Sequence, residues 1–302
     1  MSSLAASGPA EAALTASDRL SPRRVSKRTW WRLLLKDWPA VVALIILLVI
    51  ALAAIAAPLL TQVDPLTTNT RMKAAPLLTP GYPLGTDQLG RDIWSRLLYG
   101  ARLTLTVGIV GAAVSAALGL LIGLIAGYFG GWVDAVTMRG LDVLLSFPDI
   151  LLAVVIVAIL GPSLQNALIA VAILGVPFYV RLIRADVLRL RQSDFVTSAR
   201  TIGASDGRII TSHILPNVIA PIIVTASIHV GYLILSAAGL SFVGLGAQPP
   251  SPEWGAMVSS GRDYLLIAPH VVLVPAAAIF VVVLAFNIVG DGLRDALDPK
   301  AR

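Results

Sequence analysis

Long stretches without a charged residue dominate this sequence and limit what it can fold into. Asp, Glu, Lys and Arg are absent from residues 38–63, 103–133, 150–180, 209–252 and 264–290. Each stretch exceeds the roughly 20 apolar residues that a helix needs to cross the hydrocarbon core of a bilayer. Apolar residues make up 57% of the chain and charged residues 13%, which is outside the range of soluble globular domains. The sequence therefore predicts an all-α integral membrane protein.

Two of the uncharged stretches are too long for one span. A single helix over residues 150–180 would be about 45 Å long at 1.5 Å per residue, and a Gly-Pro-Ser sequence at residues 161–163 predicts a turn in its middle. Residues 209–252 are interrupted by Pro216 and by a proline cluster after residue 248. The prediction is six transmembrane helices, at residues 40–60, 103–127, 140–160, 164–183, 218–240 and 270–290.

The distribution of Lys and Arg predicts the orientation of these spans, because cytoplasmic loops carry an excess of both. With the N-terminus inside, seventeen of the 23 basic residues are cytoplasmic and six are external. We therefore expect cytoplasmic tails at residues 1–39, which include a basic interfacial segment, and 293–302. An external loop is expected at residues 61–101, and a five-helix core at residues 102–292 that contains a cytoplasmic loop at 185–217.

Composition also narrows the function classes. Basic residues beside apolar spans are explained by topology and by anionic lipid headgroups, so the net charge of +6 requires no nucleic-acid partner. The chain has no cysteine, which excludes disulfides, thiolate metal sites and cysteine catalysis. Ala54 and Ala56 resemble a signal-peptidase site, but the region before the apolar run is too long for a signal peptide, so we interpret residues 40–60 as a helix.

Small residues recur at every fourth position along the second predicted span, at Gly111, Ser115, Gly119, Gly123 and Gly127. Small side chains at this spacing let another helix approach closely in lipid, where packing drives association. They predict a helix-packing face, against the alternative that glycine is simply common in membrane helices. The pattern indicates a packed multi-span bundle, which could include a second subunit.

Polar residues share one face of the fifth predicted span: Thr225, His229, Tyr232 and Ser236 are spaced four, three and four apart. Polar groups at membrane depth are costly unless they contact protein or water. Two interpretations stay open, hydrogen bonding to neighbouring helices or the wall of a water-filled path for a polar solute. Asn287 on the sixth span is a candidate of the same kind.

Two carboxylates, Asp142 and Asp149, lie in the third predicted span. An intramembrane carboxylate is a functional candidate by default, and a proton-coupled carrier would use one. Alternatively, Asp149 begins a helix that restarts after Pro148 and is stabilised there by the helix dipole. Both interpretations remain open at this point.

A polar segment, SARTIGASDGRIITSHILPN at residues 198–217, separates the fourth and fifth spans. Spacings of four and three place Phe195, Ala199 and Ile202 on one apolar face, which predicts a short amphipathic helix over residues 194–202. Such a helix between two spans forms a compact cytoplasmic loop.

Gly203 suits the C-terminal end of this short helix, and Ser205 suits the N-cap of a second one that Pro216 would end. Ala199 and Gly203 leave little side-chain bulk there, so another protein could approach closely. Residues 203–207 read GASDG and match the G-x-S-x-G nucleophile motif, which has meaning only between a buried strand and a helix. That context is missing, so we interpret Ser205 as a helix cap.

The same region resembles the cytoplasmic loop of ABC-importer permeases, whose signature is Glu-Ala-Ala, three residues, Gly, and then Ile-x-Leu-Pro after nine more. The positions of that signature are occupied here by Thr197, Ser198, Ala199, Gly203, His213, Leu215 and Pro216. Thr197, Ser198 and His213 depart from it. The segments LGTDQLGRDIWSRLLYGARLTL, GLSFVGLGAQPPSPEWGAM and NIVGDGLRDALDP closely resemble the C-type permease subunit of dipeptide, oligopeptide and nickel importers.

This resemblance runs from about Asp37 to Pro299 and implies a type I ABC-importer permease fold in the bacterial cytoplasmic (inner) membrane. The implied partners are a second homologous permease, two ATPases, an extracytoplasmic solute-binding protein and membrane lipids. ATP and Mg²⁺ would belong to the ATPases, and no cofactor is expected in this chain. The implied coupling-loop residues are Thr197, Ser198, Ala199, Arg200, Gly203, Ala204, Ser205, Asp206, Leu215 and Pro216.

Among function classes, the resemblance favours a permease that forms half of a path for di- or oligopeptides. No G-x-x-x-x-G-K-[ST] motif occurs, so we do not expect this chain to hydrolyse ATP. The alternatives are an ABC importer for nickel or another small solute, and a proton-coupled secondary carrier that uses Asp142 or Asp149. An intramembrane hydrolase lacks a coherent catalytic set.

Overall fold

A computed structural model describes residues 30–297, and most of them are helical. Residues 1–29 and 298–302, which hold parts of both predicted tails, lie outside the described residues. The helices are α1 Trp30–Leu34, α2 Trp38–Ile55, α3 Ala57–Leu60, α4 Ile93–Phe129, α5 Gly131–Leu145, α6 Asp149–Leu160, α7 Leu164–Arg191, α8 Asp194–Thr201, α9 Asp206–Ile209, α10 Leu215–Phe242, α11 Trp254–Gly261 and α12 His270–Leu297.

Within the described part of the chain, five helical segments are long and apolar enough to cross a membrane, and α5 with α6 supplies a sixth. This agrees with the six predicted spans. The third one is not straight, however, because α5 and α6 meet at 89°. Pro148 lacks an N–H and disfavours helical geometry in the residue before it, so the chain breaks there and α6 restarts at Asp149.

Several helices begin or end outside the predicted bounds. Helix α4 starts at Ile93, ten residues before the predicted second span, because the Asp92 carboxylate accepts the N–H groups of Trp94 (3.2 Å) and Ser95 (3.0 Å). Burial raises the pKa of Asp92, and these two hydrogen bonds oppose that rise. Helix α7 continues to Arg191, so the loop predicted at 185–217 begins as helix.

The predicted turn at residues 161–163 is confirmed. Helix α6 ends at Leu160 and α7 begins at Leu164, after the Ser163 hydroxyl accepts the N–H of Asn166 at 3.1 Å. This hydrogen bond satisfies one of the free N–H groups at the start of α7. Helices α6 and α7 therefore form a tight hairpin.

The prediction that Pro216 ends a helix is wrong. Helix α9 continues through a π-helical turn, Ile210–Ile214, into α10, and residues 206–242 form one long helical segment. Pro216 is the second residue of α10, a position where proline is tolerated because its missing N–H falls in the first turn. In the π-helical turn that precedes Pro216, the backbone hydrogen bonds join residues five apart instead of four.

The small-residue face of α4 lies mainly against α7. A Cβ atom on Gly119 would be 2.3 Å from the Cβ of Tyr179, and one on Gly123 would be 2.8 Å from the carbonyl oxygen of Val180. The Ser115 hydroxyl donates to the carbonyl of Ala172 at 2.7 Å. The same face meets Val187 at Gly127 and Leu233 of α10 at Gly111.

The segment that precedes α4 and the segment that follows α10 meet at the N-terminal end of α4. Arg96 is 2% exposed, and its guanidinium donates to the carbonyls of Pro65 (3.0 Å), Pro250 (3.3 Å) and Ser251 (3.2 Å). Its Nε lies 3.5 Å from a carboxylate oxygen of Asp87. One buried arginine thus joins both segments to the start of α4.

We expect Gly119→Ala to lower the thermal stability of the purified protein. Alanine normally favours a helix over glycine, but here the added methyl meets Tyr179 and must displace it, which costs about 1–3 kcal/mol. Gly239→Ala is the matched control, because a Cβ there meets nothing within 4 Å. Thermal unfolding in detergent measures both variants. Equal melting temperatures would contradict the close packing of α4 on α7.

Candidate functional site

A cavity of about 1200 Å³ lies among α6, α7, α10 and α12. This volume exceeds that of typical small-molecule sites. Its wall consists of Leu145, Asp149, Leu174, Pro177, Phe178, Arg181, Leu182, Ala220, Pro221, Val224, Thr225, Ile228, His229, Tyr232, Arg294 and Leu297. The helix break before α6 brings Asp149 into the wall, and the C-terminal end of α12 brings Arg294.

An aromatic column lines one side of this cavity. The His229 ring stacks between Phe178, at a centroid distance of 5.2 Å, and Tyr232, at 5.3 Å, with interplanar angles of 15° and 14°. Tyr179 meets the same imidazole edge-on at 5.1 Å. Phe178 and Tyr232 are 49% and 42% exposed, so the column presents aromatic surface to the cavity.

Charged groups of both signs face the same cavity. The Tyr232 hydroxyl donates to Oδ2 of Asp149 at 2.8 Å, which orients this carboxylate. Arg181 donates to Asp142 at 2.8 Å, and both of these side chains are about half exposed. Arg294 completes the charged part of the wall. The cavity can therefore offer one anionic and two cationic groups beside an aromatic surface.

The structure places three of the five path candidates, Thr225, His229 and Tyr232, in the cavity wall. Ser236 is not in the wall, and its hydroxyl donates to the carbonyl of Tyr232 at 2.9 Å. Asn287 lies elsewhere too, donating to Val283 at 2.7 Å. Sequence reasoning missed Arg181 and Arg294 as wall residues, since basic residues near helix ends were explained by topology alone.

The loop between α7 and α10 begins with α8, which ends in a Schellman motif. The N–H of Ala204 bonds to the carbonyl of Ala199 and the N–H of Gly203 to that of Arg200, both at 3.0 Å. Gly203 has φ +83°, which glycine adopts without strain. Ser205 stands at the N-cap position of α9, but its side chain makes no capping hydrogen bond, so that predicted role is wrong.

The predicted apolar face of α8 is only partly buried. Val196 and Ala199 are the buried positions, whereas Phe195 is 44% exposed and Ile202 is 86% exposed. Their spacing put Phe195 and Ile202 on the predicted apolar face, but among residues 30–297 no helix covers that side. A pocket of about 530 Å³ lies here, lined by Phe195, Ser198, Ala199, Ile202, Gly203, Ala204, Arg208 and His213.

We expect Gly203→Ala to loosen the turn between α8 and α9. A Cβ at this position meets nothing within 4 Å, so the whole cost of about 1–2 kcal/mol comes from the left-handed backbone. Gly207→Ala is the control, because Gly207 is also open but has no such backbone. Hydrogen exchange at the amides of Gly203 and Ala204 should accelerate in the first variant alone. Unchanged exchange would contradict this.

A bundle of about six apolar spans, with a broken span beside a solute-sized cavity and a short helical loop at one end, defines a multi-pass membrane transport component. Residues 119–302 match the family model described as the inner membrane component of binding-protein-dependent transport systems. Residues 27–80 match the N-terminal transmembrane domain of oligopeptide transport permease C. The chain therefore belongs to the family of binding-protein-dependent permeases of the inner membrane.

Curated relatives agree with this assignment. The chain is 49% identical over 277 residues to the dipeptide transport system permease DppC of Alkalihalophilus pseudofirmus, covering 91% of this chain and 90% of that protein. It is 47% identical over 281 residues to the glutathione transport system permease GsiD of Pectobacterium atrosepticum, covering 92% and 93%. These matches confirm the resemblance to peptide-class permeases and extend over nearly the whole chain.

Solved structures support the fold independently. A structure of the MetNI methionine ABC transporter in an inward facing conformation superposes with a TM-score of 0.55 and 20% sequence identity. The match covers 67% of this chain and 97% of that chain. The all-α fold of an ABC-importer permease, expected from the sequence, is thereby confirmed.

Proposed function

We propose that this chain is one permease subunit of an ABC importer for short peptides in the bacterial inner membrane. Two permease subunits would enclose the path, two ATPase subunits would bind ATP and Mg²⁺, and an extracytoplasmic binding protein would deliver the solute. Both termini and the loop at residues 194–209 are cytoplasmic in this proposal. The excess of Lys and Arg on that side supports it.

The exposed apolar surface at the loop carries the proposal of an ATPase partner. Ile202 and Phe195 stand exposed beside the small residues Ala199 and Gly203 and the 530 Å³ pocket. Apolar side chains that project from a short helix next to a pocket are typical of a protein interface. The candidate coupling residues from Thr197 to Asp206 surround this surface.

The cavity supports a peptide as the solute. A short peptide carries an ammonium group, a carboxylate and side chains, and the wall offers Asp149, Arg181, Arg294 and an aromatic column. Opposite charges placed within one cavity suit a zwitterion, because each terminus finds a charged partner. The names of the relatives, which refer to dipeptide and glutathione transport, point to the same solute class.

We expect Ile202→Arg to weaken co-purification of the ATPase subunits. Replacing an apolar side chain at the centre of an interface by a charged one lowers the binding free energy by about 2 kcal/mol or more, which corresponds to roughly thirtyfold in affinity. Thr201→Arg is the matched control, because Thr201 is the neighbouring exposed residue outside the pocket. Affinity purification of the tagged permease from cells that express the importer measures both. Equal recovery of the ATPases would contradict the proposed interface.

Thr225→Trp should block solute uptake by filling the cavity. Thr225 lies in the wall, so a bulky indole there occupies space that the solute needs, and we expect uptake to fall by about tenfold or more. Leu235→Trp on the same helix is the control, since Leu235 is 58% exposed and is not in the wall. Uptake of a radiolabelled dipeptide into proteoliposomes of the whole importer measures the effect. Similar loss in both variants would argue against this cavity as the path.

The alternative is a proton-coupled carrier that uses Asp142 or Asp149. Of the two, Asp149 lies in the cavity wall, where it accepts a hydrogen bond from Tyr232. The two mechanisms differ in their energy source. Uptake that persists after a protonophore collapses the gradient, and stops when ATP is omitted, supports the importer. Uptake by the lone chain that requires the proton gradient and is lost in Asp149→Asn would support the carrier.

A further inference from the structure

The last turn of α4 carries a buried tyrosine that touches both sides of the turn in the 194–209 loop. Tyr128 is 3% exposed, and its hydroxyl donates to Oδ1 of Asp206 at 2.5 Å. The Arg200 guanidinium donates to the same hydroxyl in a longer contact of 3.4 Å and lies 6.0 Å from the ring centroid. Arg200 belongs to α8 and Asp206 to α9, with the Gly203 turn between them.

The surroundings of Tyr128 fix the ring without the help of its hydroxyl. The ring belongs to an apolar cluster that contains Val187, Val196, Ala199 and Ile209. Phenylalanine would fill that space equally well. The hydroxyl is therefore not needed to fill the space. It donates one hydrogen bond to Asp206 and accepts another from Arg200. Its bond with Arg200 also raises the pKa of that guanidinium, which stays charged.

Helix α4 connects this contact to the cavity. Its small-residue face packs closely on Tyr179, Val180 and Val187 of α7, and α7 supplies Phe178 and Arg181 to the cavity wall. Closely packed helices move as rigid bodies rather than deforming continuously. A displacement of the loop that pulls on the end of α4 therefore also reaches α7 and the cavity wall.

We propose that Tyr128 is a positioning residue that transmits movement of the 194–209 loop to α4 through its bonded pair Asp206 and Arg200. This inference rests on the proposed function, in which an ATPase moves the loop. The Tyr128 hydroxyl holds α8 and α9 to one point on α4, so the two short helices follow the ATPase as a unit. Without the Tyr128 hydroxyl, the loop still binds the ATPase, but the movement of the loop is not fully transmitted to α4.

Tyr128→Phe tests this role because it keeps the ring and removes only the hydroxyl. In the reconstituted importer we expect ATPase co-purification at the wild-type level. The amount of dipeptide transported per ATP hydrolysed should fall by about threefold to thirtyfold, the range for residues that carry coupling between sites. Tyr99→Phe is the matched control, since Tyr99 lies on the same helix and contacts Arg102 instead.

A second readout follows movement of the cavity wall directly. The chain has no cysteine, so Thr225→Cys provides a unique thiol in the wall. Its rate of labelling should change on addition of ATP and binding protein, and Tyr128→Phe should abolish most of that change. A residue with a merely structural role would not affect this difference.

The outcomes separate the two proposals. If the wild-type chain captures no ATPase, the proposed function fails. If it captures the ATPase and Tyr128→Phe retains both the wild-type transport ratio and the ATP-dependent labelling change, the role of Tyr128 is refuted while the importer stands. If Tyr128→Phe gives too little folded protein for transport assays, the ATP-dependent labelling of Thr225→Cys in intact membranes decides, since a change equal to that of the wild-type chain refutes the role of Tyr128.

Discussion

The close approach of α4 to α7 is the contact on which the rest of the structure depends. Gly119 allows Tyr179 to pack directly against the α4 backbone, and Gly123 does the same for Val180. This fixes the rotation of α7, so that the adjacent residues Phe178 and Arg181 face the cavity. In lipid, where water exclusion does not drive helices together, such packing is a main source of association.

Two long helical segments link the 194–209 loop with the cavity. One is α4, which runs unbroken from Ile93 to Phe129 and reaches the cavity wall through α7, on which it packs. The other runs from Asp206 through the π turn to Phe242 and carries Thr225, His229 and Tyr232 into the cavity wall. Both segments are helical throughout, so no coil separates the loop from the region of the cavity. Because the helix continues past Pro216, the loop and the cavity wall share one helical segment.

Much of this architecture follows from local sequence. The uncharged stretches indicated the number of spans, and Gly161 and Pro162 predicted the turn at residues 161–163. The start of α6 at Asp149 matches one of the two interpretations that the sequence left open. The actual helix ends depend on hydrogen bonds that composition does not reveal, such as the capping of α4 by Asp92, which starts this helix ten residues before the predicted span. The break between α5 and α6 falls at Pro148, but its angle of 89° cannot be read from residue periodicity within 140–160.

The candidate site was predictable in part. Three polar residues at helical spacing on α10 meet the cavity and Ser236 does not, although the hydroxyls of Thr225 and Ser236 both bond to their own helix. The link from Tyr128 to Asp206 joins positions far apart in sequence, which no spacing rule finds. The exposure of Ile202 likewise depends on which neighbours cover α8.

The central claim is that the loop at residues 194–209 contacts the ATPase subunits on the cytoplasmic side. Its most direct measurement places a photo-crosslinking amino acid at Ile202, or at the fully exposed Leu266 of the opposite end, in intact membranes that contain the importer. We expect position 202 to capture an ATPase subunit and position 266 to capture none. Capture of the ATPase from position 266, with none from position 202, would contradict both the proposed interface and the proposed orientation.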